Sequence, residues 1–207
     1  MRYGDAIKRP FQDLKTFIIG VIVMIIPVVN FTIGTGYLLV CARTAMRRDF
    51  KLPKWKDWGD LFIKGLIAFI ITILYFIPTI VLFFLTIGTS LFAGLTGTQT
   101  AIDILLMLST AGIGVVLTAI VFLITIYIVP LAVVRYAEKD NFESAFELNF
   151  LTKKAFTGRY FVAWFVAMLY SFIIIAILSF IPLIGPAIGS FLGYVTCYTI
   201  IAEAYSK

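Results

Sequence analysis

The feature that most constrains this chain is a set of four long segments without Asp, Glu, Lys, Arg or His. They cover residues 16–42, 65–102, 104–134 and 160–202, with lengths of 27, 38, 31 and 43 residues. An α-helix needs about 20 apolar residues to cross the hydrocarbon core of a bilayer. A spanning segment must also pair its own backbone groups, which favours helices over open sheet. The sequence therefore predicts an all-α, polytopic membrane helix bundle.

The basic residues predict how the helices are oriented. Sixteen of the 17 Lys and Arg residues lie in three clusters, at residues 2–15, 43–64 and 135–159. Because cytoplasmic loops are enriched in Lys and Arg, three helical hairpins would place every cluster on the cytoplasmic side. We expect one transmembrane domain over residues 1–207, multi-pass in the cell membrane, with both termini cytoplasmic. Its hairpins are expected at about 9–48, 61–136 and 158–205, with helices at 9–27, 31–48, 61–92, 102–136, 158–181 and 186–205.

The first hairpin is unusually short for a membrane span. Its uncharged run leaves only about 13 residues for each helix, below the length of a full span. Either the flanking Lys and Arg side chains extend to the headgroups, or the hairpin enters only part of the bilayer. The second hairpin is long, so its helices must tilt, kink at Pro78 and Pro130, or project into the cytoplasm.

Two cytoplasmic linkers, at about residues 49–64 and 137–158, are predicted to be amphipathic. Aromatic side chains recur in each of them at helical spacing, opposite charged residues. Basic helices with an aromatic face lie in the headgroup layer, so membrane lipids, including anionic headgroups, are expected partners. The alternative is a lid packed against the cytoplasmic ends of the bundle. The candidate membrane-interface residues are Trp55, Trp58, Phe62, Phe142, Phe146 and Phe150.

Small residues at four-residue spacing mark the last two helices as packing surfaces, because they let helices approach closely in lipid. In an antiparallel hairpin the two sets fall in opposite halves of the membrane. We therefore expect each set to contact another helix, in the same chain or in a neighbour, and a solute path is the alternative. The candidate packing residues are Gly185, Gly189, Gly193, Ala163 and Ala167.

Proline and asparagine mark the turns of the first and last hairpins. Pro27 and Asn30 occupy the first turn, and Pro182 and Pro186 occupy the last. These residues are typical of turns and helix caps. The alternative is that they line a polar constriction in a solute path.

Nothing in the sequence predicts catalysis. There is no histidine, the two cysteines stand far apart, and no Ser-His-Asp set, glycine-rich phosphate loop or metal-binding pattern occurs. We therefore expect no enzyme activity, no catalytic residue, no cofactor and no metal. No nucleic-acid partner is expected either.

The motifs taken together resemble a known family. Pro-Val-Val-Asn occupies residues 27–30, Gly-Tyr follows at 36–37, and Leu-Pro-Lys-Trp-Lys-Asp-Trp occupies 52–58. A Pro-Leu-Ile-Gly-Pro turn stands at 182–186. The pattern is similar to domain of unknown function 4013, a family of small polytopic membrane proteins from prokaryotes, largely archaea. The resemblance implies a location in the cell membrane, and it implies no activity, substrate or catalytic residue.

Two classes of function are compatible with these features. The first is a non-catalytic membrane-embedded scaffold, lipid-contacting element or accessory module, which the aromatic linkers and the uncharged interior favour. The alternative is a channel or facilitative transporter for a small solute, which the repeated hairpins and the prolines within spans favour. Glycine stripes and a short hairpin leave unshielded surface in either case, so we expect a homo-oligomer or a membrane partner protein.

Overall fold

The computed structural model describes residues 2–96, 100–182 and 184–206. Throughout this part of the chain the regular elements are helical, which confirms the predicted all-α class. Short 3-10 helices occupy Arg9–Phe11 and Phe142–Phe146, and a π-helical turn occupies Asn30–Gly34. The α-helices are α1 (Tyr3–Lys8), α2 (Leu14–Ile25), α3 (Pro27–Val29), α4 (Thr35–Met46), α5 (Trp58–Thr96), α6 (Ala101–Lys139), α7 (Leu148–Ala155), α8 (Gly158–Leu178) and α9 (Ile184–Tyr205).

Four helices of the described chain are long and apolar enough to cross a membrane. The qualifying segments are Trp58–Gly88 of α5, Ala111–Lys139 of α6, and the whole of α8 and α9. At about 1.5 Å per residue, the 21 residues of α8 and the 22 residues of α9 match a hydrocarbon core of about 30 Å. α5 and α6 contain 39 residues each and exceed that thickness. The chain is therefore a multi-pass membrane protein.

The first hairpin differs from the expected pair of equal helices. α2 has 12 residues, whereas α3, the π-helical turn and α4 continue one another over Pro27–Met46. The two arms meet at a bend of 115°. The break occurs at Ile26, whose backbone is extended. Pro27 begins the second arm because proline is tolerated in the first turn of a helix, where its missing N–H has no partner to lose.

The start of this hairpin also differs from the expected boundary at residue 9. Arg9 lies in a 3-10 turn, and α2 begins only after Asp13. The Asp13 carboxylate accepts hydrogen bonds from the Lys15 and Thr16 amides, which have no partner inside the helix. This cap fixes the beginning of α2, which is then about 18 Å long and too short to cross a bilayer alone.

The structure divides into two compact units. The first contains Met1–Ile71 and Pro130–Lys207, and the second contains Thr72–Val129. In the first unit α9 is the central helix and packs against α1, α2, α4 and α8. Of its apolar window 67% is buried, against 17% for α8. The core of the first unit includes the buried side chains Tyr37, Cys41, Leu61, Phe191 and Val195.

The second unit consists of segments of α5 and α6. Thr79 and Thr125 are buried there with their hydroxyl oxygens 3.3 Å apart, and the centres of the Phe76 and Phe122 rings are 6.0 Å apart. Such a hydroxyl pair helps to join two helices in lipid, where apolar contacts have no hydrophobic driving force. A groove of about 500 Å³ runs along the same segments, and its walls are mostly apolar.

Candidate functional site

The polar contacts of the first unit are concentrated at one end, which we call the basic end. It contains the last turns of α4 and α9, together with the residues that hydrogen-bond to them. The chain reaches this end near both termini, because the Arg2 amide donates to the Glu203 carboxylate at 2.8 Å. The two ends of the described chain therefore lie on the same side of the first unit.

Arg9 lies at the centre of the basic end and has no exposed surface. Its Nη1 donates to the Cys41 carbonyl at 2.9 Å and to the Thr199 hydroxyl at 2.8 Å. Its Nη2 donates to the Thr44 hydroxyl and to the Lys51 carbonyl at 3.0 Å. Its Nε donates to the same Lys51 carbonyl at 3.3 Å. One guanidinium thus joins the N-terminal segment, α4, the first linker and α9.

The oxygens around the Arg9 guanidinium belong to neutral carbonyl and hydroxyl groups. A buried charge is tolerated when its donors are all hydrogen-bonded, and arginine has five N–H donors in a fixed planar fork. The Cys41 carbonyl lies near the end of α4, where the helix dipole favours a positive charge. Lysine, with a single ammonium, cannot reach acceptors on three separate segments. The site therefore selects arginine specifically.

Sequence reasoning missed this role, because charge patterning treats Arg9 like its neighbour Lys8. Both residues count only as positive charges that orient the first helix. A signal was nevertheless present in the sequence. Ile7, Phe11 and Leu14 are spaced as one apolar helical ridge, and this spacing puts Arg9 on the opposite side of the segment.

Trp55, in the first linker, is buried, which corrects the prediction that it contacts the lipid headgroups. Trp55 is only 9% exposed, and its ring stacks on Tyr37 with the ring centres 3.9 Å apart. Its Nε1 donates to the Thr16 carbonyl at 2.9 Å, and the Tyr37 hydroxyl donates to the Pro53 carbonyl at 2.7 Å. The expected amphipathic helix does not form over residues 51–57, because these contacts hold the linker extended against α2 and α4. This linker behaves as a lid.

Trp58 and Phe62 differ from Trp55 in their exposure. Trp58 begins α5 and is 45% exposed, and Phe62 on the next turn is 43% exposed. The Trp58 ring lies 5.5 Å from the Trp55 ring, so it covers the edge of the linker core. These two side chains keep the exposure that a headgroup contact requires.

The second linker is organised by Arg135, near the end of α6. Its guanidinium donates to Glu138 at 2.8 Å, to Glu147 at 2.5 Å and to the Tyr205 hydroxyl at 2.9 Å. The same group lies 4.0 Å above the centre of the Phe150 ring, a cation–π contact. Phe150 is therefore packed mainly against protein, contrary to its predicted position on a lipid-facing surface.

The rest of the second linker is shorter and more broken than the expected amphipathic helix. Phe142 and Phe146 lie 5.2 Å apart in the 3-10 helix, and Phe142 stays exposed. α7 follows, with Leu151 buried under it. Lys154 donates to the Tyr205 carbonyl at 2.9 Å and so caps the end of α9. This linker too covers the helix ends, as the lid alternative predicts.

A second group of ion pairs joins α4, α5 and the end of α6. Asp140 accepts from Arg43 at 3.2 Å and from Lys64 at 3.6 Å, and Lys64 also pairs with Asp60 at 2.8 Å. The Arg43 Nε donates to the Ala137 carbonyl at 2.7 Å. Exposed pairs of this kind contribute little individually, so their main effect is to fix the direction of these helix ends.

The glycine stripe of α9 packs against α8, which corrects the expectation that it meets a different helix. A Cβ at Gly189 would lie 2.9 Å from the Ile175 Cα, and a Cβ at Gly193 would lie 3.1 Å from the Ser171 Cβ. The tight hairpin sets this register, because the turns of α8 and α9 that adjoin the connecting loop must lie opposite each other. Gly185 faces the end of α8 in the same way, and Ala163 and Ala167 are fully buried.

Two further glycines, which were not among the candidate packing residues, carry the contact between α4 and α5. A Cβ at Gly36 would collide with the Leu61 carbonyl, and a Cβ at Gly65 would collide with the Thr32 carbonyl. Thr32 belongs to the π-helical turn. The two backbones approach closely at this crossing, as small residues allow in membrane helices.

The predicted turn residues lie at the other end of the first unit. Pro27, Pro182 and Pro186 are exposed, and Leu183 lies outside the described residues. The Asn30 carbonyl accepts from the Thr35 hydroxyl at 3.3 Å, and the Pro182 carbonyl accepts from the Ile184 amide at 2.8 Å. These contacts are local, within each turn.

The chemistry available at the basic end is hydrogen bonding and charge pairing. Within residues 2–96, 100–182 and 184–206, no group of three His, Cys, Asp or Glu side chains could hold a metal ion. Near the start of α2, the hydrogen bond from the Thr16 hydroxyl lowers the pKa of the Asp13 carboxyl, and the Lys15 and Thr16 amides act in the same direction. The arrangement stabilises one conformation.

The family comparison fits this helical architecture. The family model described as a protein of unknown function, DUF4013, matches residues 19–183. The chain belongs to the DUF4013 family. In this DUF4013 protein the matched segment begins within α2 and ends just before α9, so Arg9 and Thr199 lie outside it. No curated protein and no solved structure matches the chain.

Proposed function

We propose that this DUF4013 protein is a non-catalytic, membrane-embedded scaffold. The observation that carries the proposal is the way the first unit is closed at its basic end. Arg9 ties four segments together there, and both linkers cover the helix ends. A carrier that alternates between two states would have to break these buried hydrogen bonds in every cycle. A scaffold needs them intact.

The packing of the candidate solute path supports the same proposal. Gly189 and Gly193 contact α8 closely, and the centre of the unit is filled by stacked rings of Tyr37, Trp55 and Phe191. Pro182 and Asn30 make local contacts within their turns. A scaffold also needs a membrane partner or a second copy of the chain, and the exposed rings of α8 offer an apolar surface for one.

Solute flux tests the proposal. The purified protein is reconstituted in sealed liposomes and exposed to a panel of ions and small neutral solutes, with empty liposomes as the control. We expect no flux above the empty control. A saturable or selective flux would overturn the scaffold proposal.

A facilitative channel is the second candidate, and the groove of the second unit favours it. The groove holds about 500 Å³, and Thr79, Thr86 and Thr118 add hydroxyl groups to its apolar wall. If flux is found, Thr118→Phe should block it by filling the groove. Ile113→Phe, at an exposed position of the same helix outside the groove, is the matched control.

We further propose that the protein lies in the cell membrane with its basic end, and therefore both termini, on the cytoplasmic side. The excess of Lys and Arg at this end supports the orientation, and so does the contact between the Arg2 amide and Glu203. Reporter fusions at each terminus test it, using one reporter active only in the cytoplasm and one active only outside. Opposite signals from the two termini would contradict the proposal.

A further inference from the structure

The N-terminal segment has two different faces. Its inner face is buried, with Ala6, Arg9 and Pro10 packed into the basic end, and the Ala6 carbonyl accepts from the Thr196 hydroxyl. Its outer face carries Ile7, 39% exposed, and Phe11, 62% exposed. The buried contacts of the inner face fix the segment against the protein, so the side chains on its outer face are held in a fixed position.

We call the exposed apolar side chains Ile7, Phe11 and Leu14 the ridge. Ile7 and Phe11 are four residues apart on α1 and the 3-10 turn, and Leu14, 72% exposed, begins α2 directly after the extended residue Asp13. The centre of the Phe11 ring lies 6.1 Å from that of Phe17, which is on the same segment. Side chains of this size in water would be costly, since each exposes a large apolar area.

Basic side chains flank the ridge. Lys8 and Lys15 are exposed and each follows a ridge residue directly. The hydrogen bond from the Thr16 hydroxyl is the main cause that lowers the pKa of the Asp13 carboxyl, and the charge of Lys54 in the first linker acts in the same direction. Gln12 ties this linker to the segment by accepting from the Leu52 amide at 2.9 Å. The ridge is therefore bordered by three lysines from two parts of the chain.

We propose that this ridge is a contact surface for anionic phospholipid. The apolar side chains enter the boundary between headgroups and acyl chains, and the three lysines reach the phosphate groups at its edge. Arg9 is the anchor that keeps the short segment helical against the protein, which an isolated segment of this length could not achieve in water. The inference requires only that the chain is inserted in a membrane, and it holds whether or not the protein conducts a solute.

Depth measurements test where the ridge lies. A nitroxide is attached to Phe11→Cys in vesicles that contain phosphatidylcholine and phosphatidylglycerol, and its collisions with oxygen and with a water-soluble nickel chelate are compared. Lys56→Cys, on an exposed part of the first linker, is the matched control, and the buried Cys41 and Cys197 serve as the unlabelled background. We expect oxygen collisions to dominate at residue 11 and nickel collisions at residue 56. Dominant nickel collisions at residue 11 would mean a water-facing surface, for example one for a soluble protein, and would overturn the proposal.

Lipid selectivity tests the charge requirement. The preference of the full-length protein for spin-labelled phosphatidylglycerol over phosphatidylcholine is measured for Lys8→Gln/Lys15→Gln/Lys54→Gln. We expect this lipid preference to fall at least about fivefold, because that factor corresponds to the attraction of a single lysine to an anionic surface. Lys139→Gln/Lys153→Gln/Arg159→Gln removes the same charge from other exposed positions. An equal loss in this control would show a general effect of net charge and would overturn the assignment to the ridge. Flux plays no part in either measurement, so failure here is distinct from failure of the scaffold proposal.

Discussion

Replacement of Arg9 by methionine should destabilise the protein more than any other single change in the N-terminal segment. Methionine keeps a long, unbranched apolar side chain and removes the guanidinium. Three of the Arg9 hydrogen bonds are 2.8 to 3.0 Å long, and they go to Cys41, Thr199 and Lys51. At a net value of about 1 kcal/mol each, their loss costs about 3 kcal/mol.

The acceptors that remain add little to this cost. The Thr199 hydroxyl still donates to the Val195 carbonyl, and the Cys41 carbonyl still accepts from the Thr44 hydroxyl. The Lys51 carbonyl loses both of its contacts with Arg9, but Lys51 is an exposed residue and water takes their place. We therefore expect Arg9→Met to lower the free energy of unfolding by about 3 kcal/mol. Arg9→Lys keeps the charge and fewer hydrogen bonds, so its loss should be about half as large.

The measurement is a denaturation curve in mild detergent, followed by the fluorescence of the buried Trp55 region and by far-ultraviolet circular dichroism. Lys8→Met removes one charge from an exposed neighbour and should change the free energy of unfolding by less than about 0.5 kcal/mol. An opposing effect makes the outcome informative, because replacing a buried charge by an apolar residue also removes a desolvation cost. If Arg9→Met proves as stable as the parent, desolvation outweighs the hydrogen bonds and the reasoning is refuted.

Three other changes test neighbouring parts of the structure. Trp55→Phe keeps a ring against Tyr37 but removes the buried hydrogen bond to the Thr16 carbonyl, so it should destabilise by about 1 kcal/mol, whereas Trp58→Phe should change stability little. Gly65→Ala should cost about 2 kcal/mol because its Cβ meets the Thr32 backbone, and Gly112→Ala, with open space around it, serves as the control in the same denaturation series. The pKa of Asp13 is lower in the native chain than in the unfolded chain, where it is about 3.9. The stability that the ionised Asp13 carboxylate contributes is therefore complete above the unfolded pKa and is lost as the pH falls through the native pKa. Asp13→Asn should therefore flatten the dependence of the melting temperature on pH below about pH 4, and an unchanged slope would contradict the capping role.

The membrane class and the last hairpin follow from simple sequence features. Uncharged length alone predicts α8 and α9 to within a few residues at each end, because the bilayer sets the length of a span. The first hairpin is less predictable. Its uncharged run gives its total length but not its division into arms of 12 and 20 residues, which depends on the Asp13 cap and on the break before Pro27.

The candidate site shows a different limit of sequence reasoning. Trp55 and Trp58 have the same residue type and lie three positions apart, yet one is in the core and the other on the surface. Helical spacing places both on one face only if the segment is a helix, and the Tyr37 stacking partner lies 18 residues away in sequence. Contacts over such separations carry no local signal, so a lid and a headgroup-binding helix look alike in this linker.

The contrast between α8 and α9 explains why the buried helix is hard to identify by apolarity in this protein. α9 is the less apolar of the two, yet a far larger share of it is buried. In lipid no hydrophobic driving force turns an apolar side chain toward another helix, whereas glycine allows close packing and threonine adds hydrogen bonds. Gly193 meets Ser171 directly, and Thr196 and Thr199 hold the N-terminal segment. The same polar residues that weaken α9 as a membrane span therefore make it the helix around which the first unit assembles.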